Sequence, residues 1–252
     1  RVAPRLIPPV METFLQTALE ICEGQQYDMD FESRNDVTTQ EYINMIRLKT
    51  AVLLGCALKI GAIIAGAPIA QANTLYRFGE NLGLAFQLQD DYLDVYGDPI
   101  IFGKNIGGDI INDKKTFMLI EALRLAQGKD LLTLQQYIGD NDCDPREKVQ
   151  VITEVYNNLG IDKLCHEQIE KYSQTAFSCM DEILWIWQRK SNNIHDLKPH
   201  VWDEWADEDG SIGKAYGYQM SVKHQYKEGM MDQVDRVIYD LKNNPFSRRI
   251  MT

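Results

Sequence analysis

The stretch FQLQDDYLDVYGD, residues 86–98, combines apolar residues at helical spacing with three closely grouped carboxylates, Asp90, Asp91 and Asp94. Asp90 and Asp94 are four residues apart and share one face of a helix, and Asp91 lies beside Asp90, so all three can face one volume. Carboxylates this close repel one another unless a counter-charge is present. The spacing therefore predicts a helix with a binding site for a cation.

Mg²⁺ is the cation that suits this group, because it prefers oxygen ligands and uses one or two carboxylates together with phosphate oxygens of a substrate. The next segment, residues 97–115, is rich in glycine and is expected to be a loop between two helices. Lysines in and beside this loop offer positive charge to a second anion, namely Lys104, Lys114 and Lys115. The residues thus predict a site for magnesium and a diphosphate; the alternative is a solvated acidic face, which the apolar neighbours of the carboxylates disfavour.

Apolar residues recur at helical spacing from residue 10 to about 190 without an alternating strand pattern, which predicts a mainly all-α fold. The sequence TTQE, residues 38–41, predicts a capping box at a helix start. One helix is predicted to end at Gly24, and another to begin at Pro145 and end at Gly160. These local signals agree with a helical assembly.

The composition limits the possible partners and compartments. The chain has 252 residues, 44% of them hydrophobic, and its 26 Lys and Arg against 37 Asp and Glu give a net charge of −11, which argues against nucleic acid or an anionic membrane surface as a partner. The apolar run 48–68 contains two lysines, so we expect a core helix and no membrane span. Five cysteines without a C-x-x-C pair predict reduced thiols in a cytoplasm. We expect no signal peptide in a chain that opens with RVAPRLIPP, and a natural beginning further upstream.

The segments GENLGLAFQLQDDYLD, FGKNIGGDI and NDKKT resemble the second aspartate-rich region of the trans-prenyl diphosphate synthases. The resemblance extends back through EGQQYDMDF and YINMIRLKTAVLL and covers residues 1 to about 181. It implies an isoprenoid-synthase-type helical bundle that lacks its N-terminal helices, because the first aspartate-rich motif of the family lies upstream of the first residue here. The implied reaction is an Mg²⁺-dependent condensation of isopentenyl diphosphate with an allylic diphosphate, in which the allylic substrate ionises.

The same resemblance implies a role for each matching residue. Asp90, Asp91 and Asp94 would hold Mg²⁺ against the allylic diphosphate. The other implied positions are Gln25 and Asp28 near that substrate, Lys49, Thr50 and Gln87 beside the reacting carbons, and Lys104 and Lys114 on the diphosphate. Simpler alternatives stay open: Thr50 can bond back to its own helix backbone, Gln25 can be an ordinary surface residue, and both loop lysines can be solvated charges.

From about Glu182 the chain instead resembles an internal portion of thymidylate synthase, an α/β enzyme, through EILWIWQRKSNN, HVWDEWADEDGSIGKAYGYQ and MDQVDRVIYDLKNNPFSRRIMT. This resemblance implies that Arg248 and Arg249 bind a nucleotide phosphate across a dimer interface, and that three aromatic residues line the active-site region, Trp202, Trp205 and Tyr216. Exposed charge and simple packing are the alternatives. We therefore expect a helical domain at 1–181 and a small α/β-derived fragment at 182–252. A continuous helix from 162 to about 190 is predicted across the junction.

Three functions follow from these resemblances. The first is a prenyltransferase that uses isopentenyl and allylic diphosphates, with a homodimer possible because both families form dimers. The second is a non-catalytic fusion protein that retains only diphosphate binding. The third, a thymidylate synthase-derived protein, would be inactive as written, because that chemistry needs a cysteine nucleophile and the last cysteine is Cys179.

Overall fold

The computed structural model describes residues 2–98, 106–140 and 142–191, with side chains up to residue 183. The chain divides into two units, Arg1–Met180 and Asp181–Thr252. The described residues belong almost entirely to the first unit. The predicted α/β-derived fragment at 182–252 lies outside the described residues apart from its first ten, and the predicted domain boundary at 181 stays a prediction.

The described residues are helical and include no strand, which confirms the predicted all-α class. A 3₁₀ turn, Pro4–Leu6, precedes the first long helix, and a π-helical turn, Arg47–Ala51, joins the second and third. In chain order the α-helices are α1 Ile7–Ser33, α2 Thr39–Ile46, α3 Val52–Ile64, α4 Ile69–Tyr96, α5 Gly108–Ile111, α6 Phe117–Leu125, α7 Gly128–Tyr137, α8 Pro145–Leu159 and α9 Ile161–Ser191. None of these described helices is both long and apolar enough to span a bilayer.

The predicted helix ends are confirmed at three places. Thr38 caps α2 with the full capping box, since its side chain accepts from the Glu41 backbone N–H and the Glu41 side chain accepts from the Thr38 backbone N–H. Pro145 begins α8, and Gly160 follows it in the left-handed conformation, with φ 68°. The predicted continuous helix from 162 to about 190 is also confirmed, as α9.

The predicted helix end at Gly24 is wrong, because α1 continues to Ser33. Gly24 is needed there for close packing: a Cβ atom on it would lie 2.8 Å from the carbonyl carbon of Leu48. Gly83 of α4 has the same role on the other side, where a Cβ atom would lie 2.6 Å from Ala51 Cα. The π-helical turn is thus held between the backbones of α1 and α4.

The main core lies between α2, α4, α6, α8 and α9. On α4 the buried stripe consists of Leu84, Leu88, Asp91 and Val95, at spacings of four, three and four residues. One member of this apolar stripe is therefore a carboxylate. The loop predicted over 97–115 is interrupted by the short helix α5, and residues 99–105 lie outside the described residues.

Candidate functional site

Asp91 lies inside the protein, only 1% exposed, whereas Asp90 and Asp94 on the same helix are half-buried. Its carboxylate accepts hydrogen bonds from the Tyr42 hydroxyl and, at 3.4 Å, from Gln87 Nε2. The Lys114 ammonium lies 3.7 Å from Asp91 Oδ1. Burial raises the pKa of Asp91 to about 7, because the charged form loses its hydration, and Lys114 and Tyr42 oppose this rise.

The second half of the glycine-rich segment 97–115 binds back to α4 through Asp94 and Asp109. The Gly107 N–H donates to the Asp94 carbonyl oxygen at 2.5 Å, and the Asp109 N–H donates to Asp94 Oδ2 at 2.8 Å. Lys114 Nζ donates to Asp109 Oδ1 at 3.1 Å. Burial lowers the pKa of Lys114, but the negative charges of Asp91 and Asp109 outweigh burial, and the pKa is raised. Lys114 is therefore a fixed cation between two carboxylates.

The π-helical turn brings two further predicted residues to this region. Lys49 Nζ lies 2.5 Å from Asp28 Oδ2, which joins the turn to α1. The Thr50 hydroxyl donates to Gln87 Oε1 at 3.4 Å, and Gln87 in turn donates to Asp91. Thr50 therefore points across to α4, contrary to the alternative in which it bonds back to its own helix.

A cavity of about 1080 Å³ opens beside these residues. Its polar lining includes Asp28, Lys114 and Lys115, and its apolar lining includes Phe31, Val37 and Ile138. Glu32 and Asp113 also face the cavity, so its lining has three carboxylates and two lysines and its charge does not by itself select an anion. The apolar wall suits the hydrocarbon part of a ligand.

The structure does not bring together all the predicted residues. Gln25 is exposed on α1, three residues before Asp28, and its role stays a prediction. Other predicted positions lie outside the described residues, namely Lys104, Arg248, Arg249, Trp202, Trp205 and Tyr216.

The carboxylates of α4 differ in how well they suit a metal ion. In the part of the chain that the structure describes, no group of three or more His, Cys, Asp or Glu side chains is arranged to hold one. Asp90 and Asp94, half-buried and one turn apart, fit an ion that takes one or two protein carboxylates and completes its shell with water and phosphate oxygens. Asp91 fits less well as a direct ligand, since its oxygens already face Tyr42, Gln87 and Lys114.

Sequence reasoning missed two residues of this cluster, Tyr42 and Asp109. Burial raises the pKa of Asp109, Lys114 lowers it, and the charges of Asp94 and Asp90 raise it again, so these groups share one electrostatic environment. Asp109 directly follows a glycine pair, which is the signal that pointed to a turn at this place. Tyr42 lies 49 residues from Asp91 in the chain and had no local signal.

Two protein-family models match this chain and together cover most of its length. The polyprenyl synthetase family model matches residues 4–158, and the thymidylate synthase model matches residues 170–252. The second match begins within α9, upstream of the change in sequence character near residue 182. The predicted pair of resemblances is thereby confirmed.

Among the relatives is the short chain isoprenyl diphosphate synthase of Methanothermobacter thermautotrophicus, 38% identical over 161 residues, which are 64% of this chain and 49% of the relative. The geranylgeranyl diphosphate synthase of Sulfolobus acidocaldarius is 33% identical over 172 residues, covering 68% of this chain and 52% of the relative. The chain thus spans about half the length of the curated relatives it matches.

Solved structures agree with this result. A crystal structure of a geranylgeranyl pyrophosphate synthase superposes with a TM-score of 0.68 at 42% identity, over 71% of this chain and 56% of that one. The geranylgeranyl pyrophosphate synthase of Corynebacterium glutamicum, solved with isoprenyl diphosphate and magnesium, gives 0.65 at 28% identity, over 71% and 51%. Since the matched family model spans more than half of its residues, the chain belongs to the polyprenyl synthetase family.

Proposed function

We propose that this chain binds an allylic prenyl diphosphate with Mg²⁺ and acts in a trans-prenyltransferase reaction that condenses it with isopentenyl diphosphate. One observation carries the proposal: Lys114 and Asp109 come from one segment and Thr50 from another, and they meet the predicted carboxylate helix at Asp91, Asp94 and Gln87. The family membership supports the same reaction class, and the apolar wall of the cavity suits the hydrocarbon part of a prenyl substrate.

Each residue has a specific task in this reaction. Asp90 and Asp94 hold the metal ion, and magnesium, when bound, supplies the positive charge that lets the diphosphate leave with the electrons of the broken carbon–oxygen bond. Lys114 offers a fixed ammonium to the same diphosphate oxygens. Asp91 keeps Lys114 in place through their ion pair.

The π-helical turn serves the carbon end of the substrate. Lys49 and Thr50 come from a turn whose backbone is fixed on two sides, and Gln87 orients the Thr50 hydroxyl. Oriented dipoles of this kind stabilise the allylic cation while the double bond of isopentenyl diphosphate attacks it and a proton is then lost. Lys104 adds a second cation to the diphosphate in this proposal. The proposal also includes a cytoplasmic location and a homodimer, and it gives Arg248 and Arg249 the nucleotide-phosphate role that the second resemblance implies.

A second candidate function is diphosphate binding without turnover. It is favoured by the finding that residues 2–98, 106–140 and 142–191 contain no group of three carboxylate, histidine or cysteine ligands arranged around one point. A chain that holds only part of a metal cage binds magnesium diphosphate but ionises the substrate slowly.

Thermal denaturation with Mg²⁺ and geranyl diphosphate tests binding. We expect the melting temperature to rise by about 5–10 °C at a ligand concentration near one hundred times Kd, and Asp90→Asn with Asp94→Asn to abolish the rise. The control is Glu154→Gln with Glu167→Gln, which removes two charges from exposed positions on α8 and α9. An equal rise in the double Asp variant would refute the metal assignment. Turnover of labelled isopentenyl diphosphate then separates the enzyme from the binder.

A further inference from the structure

A buried ion pair joins α8 to the loop in front of Lys114. The Lys148 side chain is only 3% exposed, and its ammonium lies 2.9 Å from the Asp113 carboxylate. It also donates to the Ile111 carbonyl oxygen at 3.3 Å. A lysine is rarely buried without such partners, because its charge loses hydration. Both partners of the Lys148 ammonium therefore lie at the end of α5 and in the turn that follows it.

Asp113 has an unusual backbone conformation. Its φ of 50° is the only positive value at a non-glycine residue in the described part of the chain. The left-handed region is sparsely used by residues other than glycine, although Asp and Asn enter it more readily than most. Besides Lys148, the Gly139 N–H donates to the Asp113 carboxylate at 3.0 Å. These donors fix the residue whose backbone sets the direction in which the chain continues to Lys114.

The neighbouring residue on α8 supports the other end of the same segment. Gly107 has a φ of 84°, and a Cβ atom on it would lie 2.6 Å from Val149 Cγ2. Adjacent residues of one helix, Lys148 and Val149, therefore contact both ends of the segment 107–114. The other side of this segment faces α4, through the bonds of Asp109 and Lys114 to the carboxylates there.

We infer that Lys148 is a positioning residue: with Val149 it braces the segment 107–114 on the side opposite α4, so that the Lys114 ammonium stays between Asp91 and Asp109. A helix is a rigid support, and a cation that must meet a diphosphate works best when its position is fixed before the ligand arrives. Lys148 itself touches no substrate. The statement that Lys114 then receives a diphosphate rests on the proposed function; the bracing does not.

Amide hydrogen exchange of the full chain, followed by mass spectrometry, tests the brace without any ligand. The amides of Gly107, Asp109 and Lys114 are all hydrogen-bonded, so the peptide 106–116 exchanges slowly while the segment is held. In Lys148→Met we expect exchange there to be at least about tenfold faster, because the loop opens locally. Ile152→Val, one turn away on α8, is the control, since it weakens the core without touching the loop.

Calorimetric titration with Mg²⁺ and inorganic pyrophosphate gives the second readout. Lys114→Met should weaken affinity at least about tenfold through loss of a charge-assisted contact. Lys148→Met should weaken it several-fold, Lys148→Arg should restore most of the loss, and Ile152→Val should leave it unchanged. This pattern distinguishes positioning from general destabilisation, which would affect both core variants alike.

The outcomes separate the brace from the proposed function. Unchanged exchange at 106–116 in Lys148→Met overturns the brace whatever the ligand does. Faster exchange with unchanged pyrophosphate affinity, while Lys114→Met loses affinity, overturns the positioning of Lys114. If the unsubstituted chain binds no pyrophosphate, the proposed function fails and the exchange result alone decides the brace. Should Lys148→Met not fold, Val149→Ala replaces it, and the same faster exchange is expected.

Discussion

Replacing Asp91 by asparagine tests whether a buried charge at the site destabilises the fold. In an unfolded chain this carboxyl has its usual pKa of 3.8, and burial raises the pKa to about 7 in the folded protein. A raised folded pKa means that the folded state binds the proton more tightly. The contribution of Asp91 to stability is therefore complete below about pH 4 and is lost as the pH rises through about 7.

The size of the effect follows from this difference in pKa. A rise from 3.8 to about 7 corresponds to about 4 kcal/mol of unfolding free energy lost between acid and pH 8. Local rearrangement and entry of water on ionisation return part of this cost, so about 2 kcal/mol is a reasonable lower value. Asparagine keeps an oxygen that can accept from Tyr42 and carries no charge. We expect Asp91→Asn to gain about 2–4 kcal/mol relative to the unsubstituted chain between pH 4 and pH 8.

Urea denaturation of both proteins at pH 4.5, 6 and 8 measures this gain, because the midpoint and slope give the unfolding free energy at each pH. The control is Glu167→Gln, which removes an exposed carboxylate from α9 and should show a constant difference from pH 6 to pH 8. The reasoning is refuted if the difference between Asp91→Asn and the unsubstituted chain is the same at all three pH values. Such a result would mean that Asp91 is hydrated or fully compensated in the folded state.

Three further substitutions test the packing and the hydrogen bond at the site. Gly83→Ala should destabilise the protein by about 1–3 kcal/mol, because the new methyl group meets the Ala51 backbone. Gly61→Ala, in open space on α3, should instead stabilise the protein by about 1 kcal/mol. A change of the same sign for both variants in thermal denaturation would contradict the close packing at Gly83. Tyr42→Phe removes the donor to Asp91 and should cost about 1.5–3 kcal/mol at pH 8. A smaller loss is expected at pH 4.5, where the carboxyl is protonated, and denaturation at the two pH values decides this.

Much of the fold follows from local sequence signals. The capping box at Thr38, the proline start of α8 and the left-handed Gly160 each depend on residues within one turn, so the pattern contains all the information needed. Gly24 shows where such reasoning fails. The same residue type ends helices and permits close helix packing, and only the position of a second element, here the turn at Leu48, distinguishes the two uses.

The carboxylate group shows a second limit. Helical spacing placed Asp90, Asp91 and Asp94 near one volume, yet adjacent residues on a helix are about 100° apart, and Asp91 lies on the buried stripe with Leu88 and Val95. That burial was visible in the sequence, since Asp91 replaces an apolar residue in a regular stripe. The charge of Asp91 is offset by Tyr42 and Lys114, and the role of Asp90 and Asp94 as metal ligands stays a prediction.

Lys148 follows the same rule on α8, where it precedes the buried Ile152 and Val155 at spacings of four and three residues. A charged residue on an apolar stripe requires a buried partner, because an unpaired charge in the core would cost more than the fold can supply. The stripe therefore identifies the residue, but not its partner: Asp91 pairs with Tyr42 across 49 residues, and Lys148 with Asp113 across 35. The Lys148–Asp113 pair holds the segment that carries Lys114, and the Asp91–Tyr42 pair holds the helix that carries Asp94. A charged residue on an apolar stripe therefore identifies residues that position this site as well as residues of the site itself.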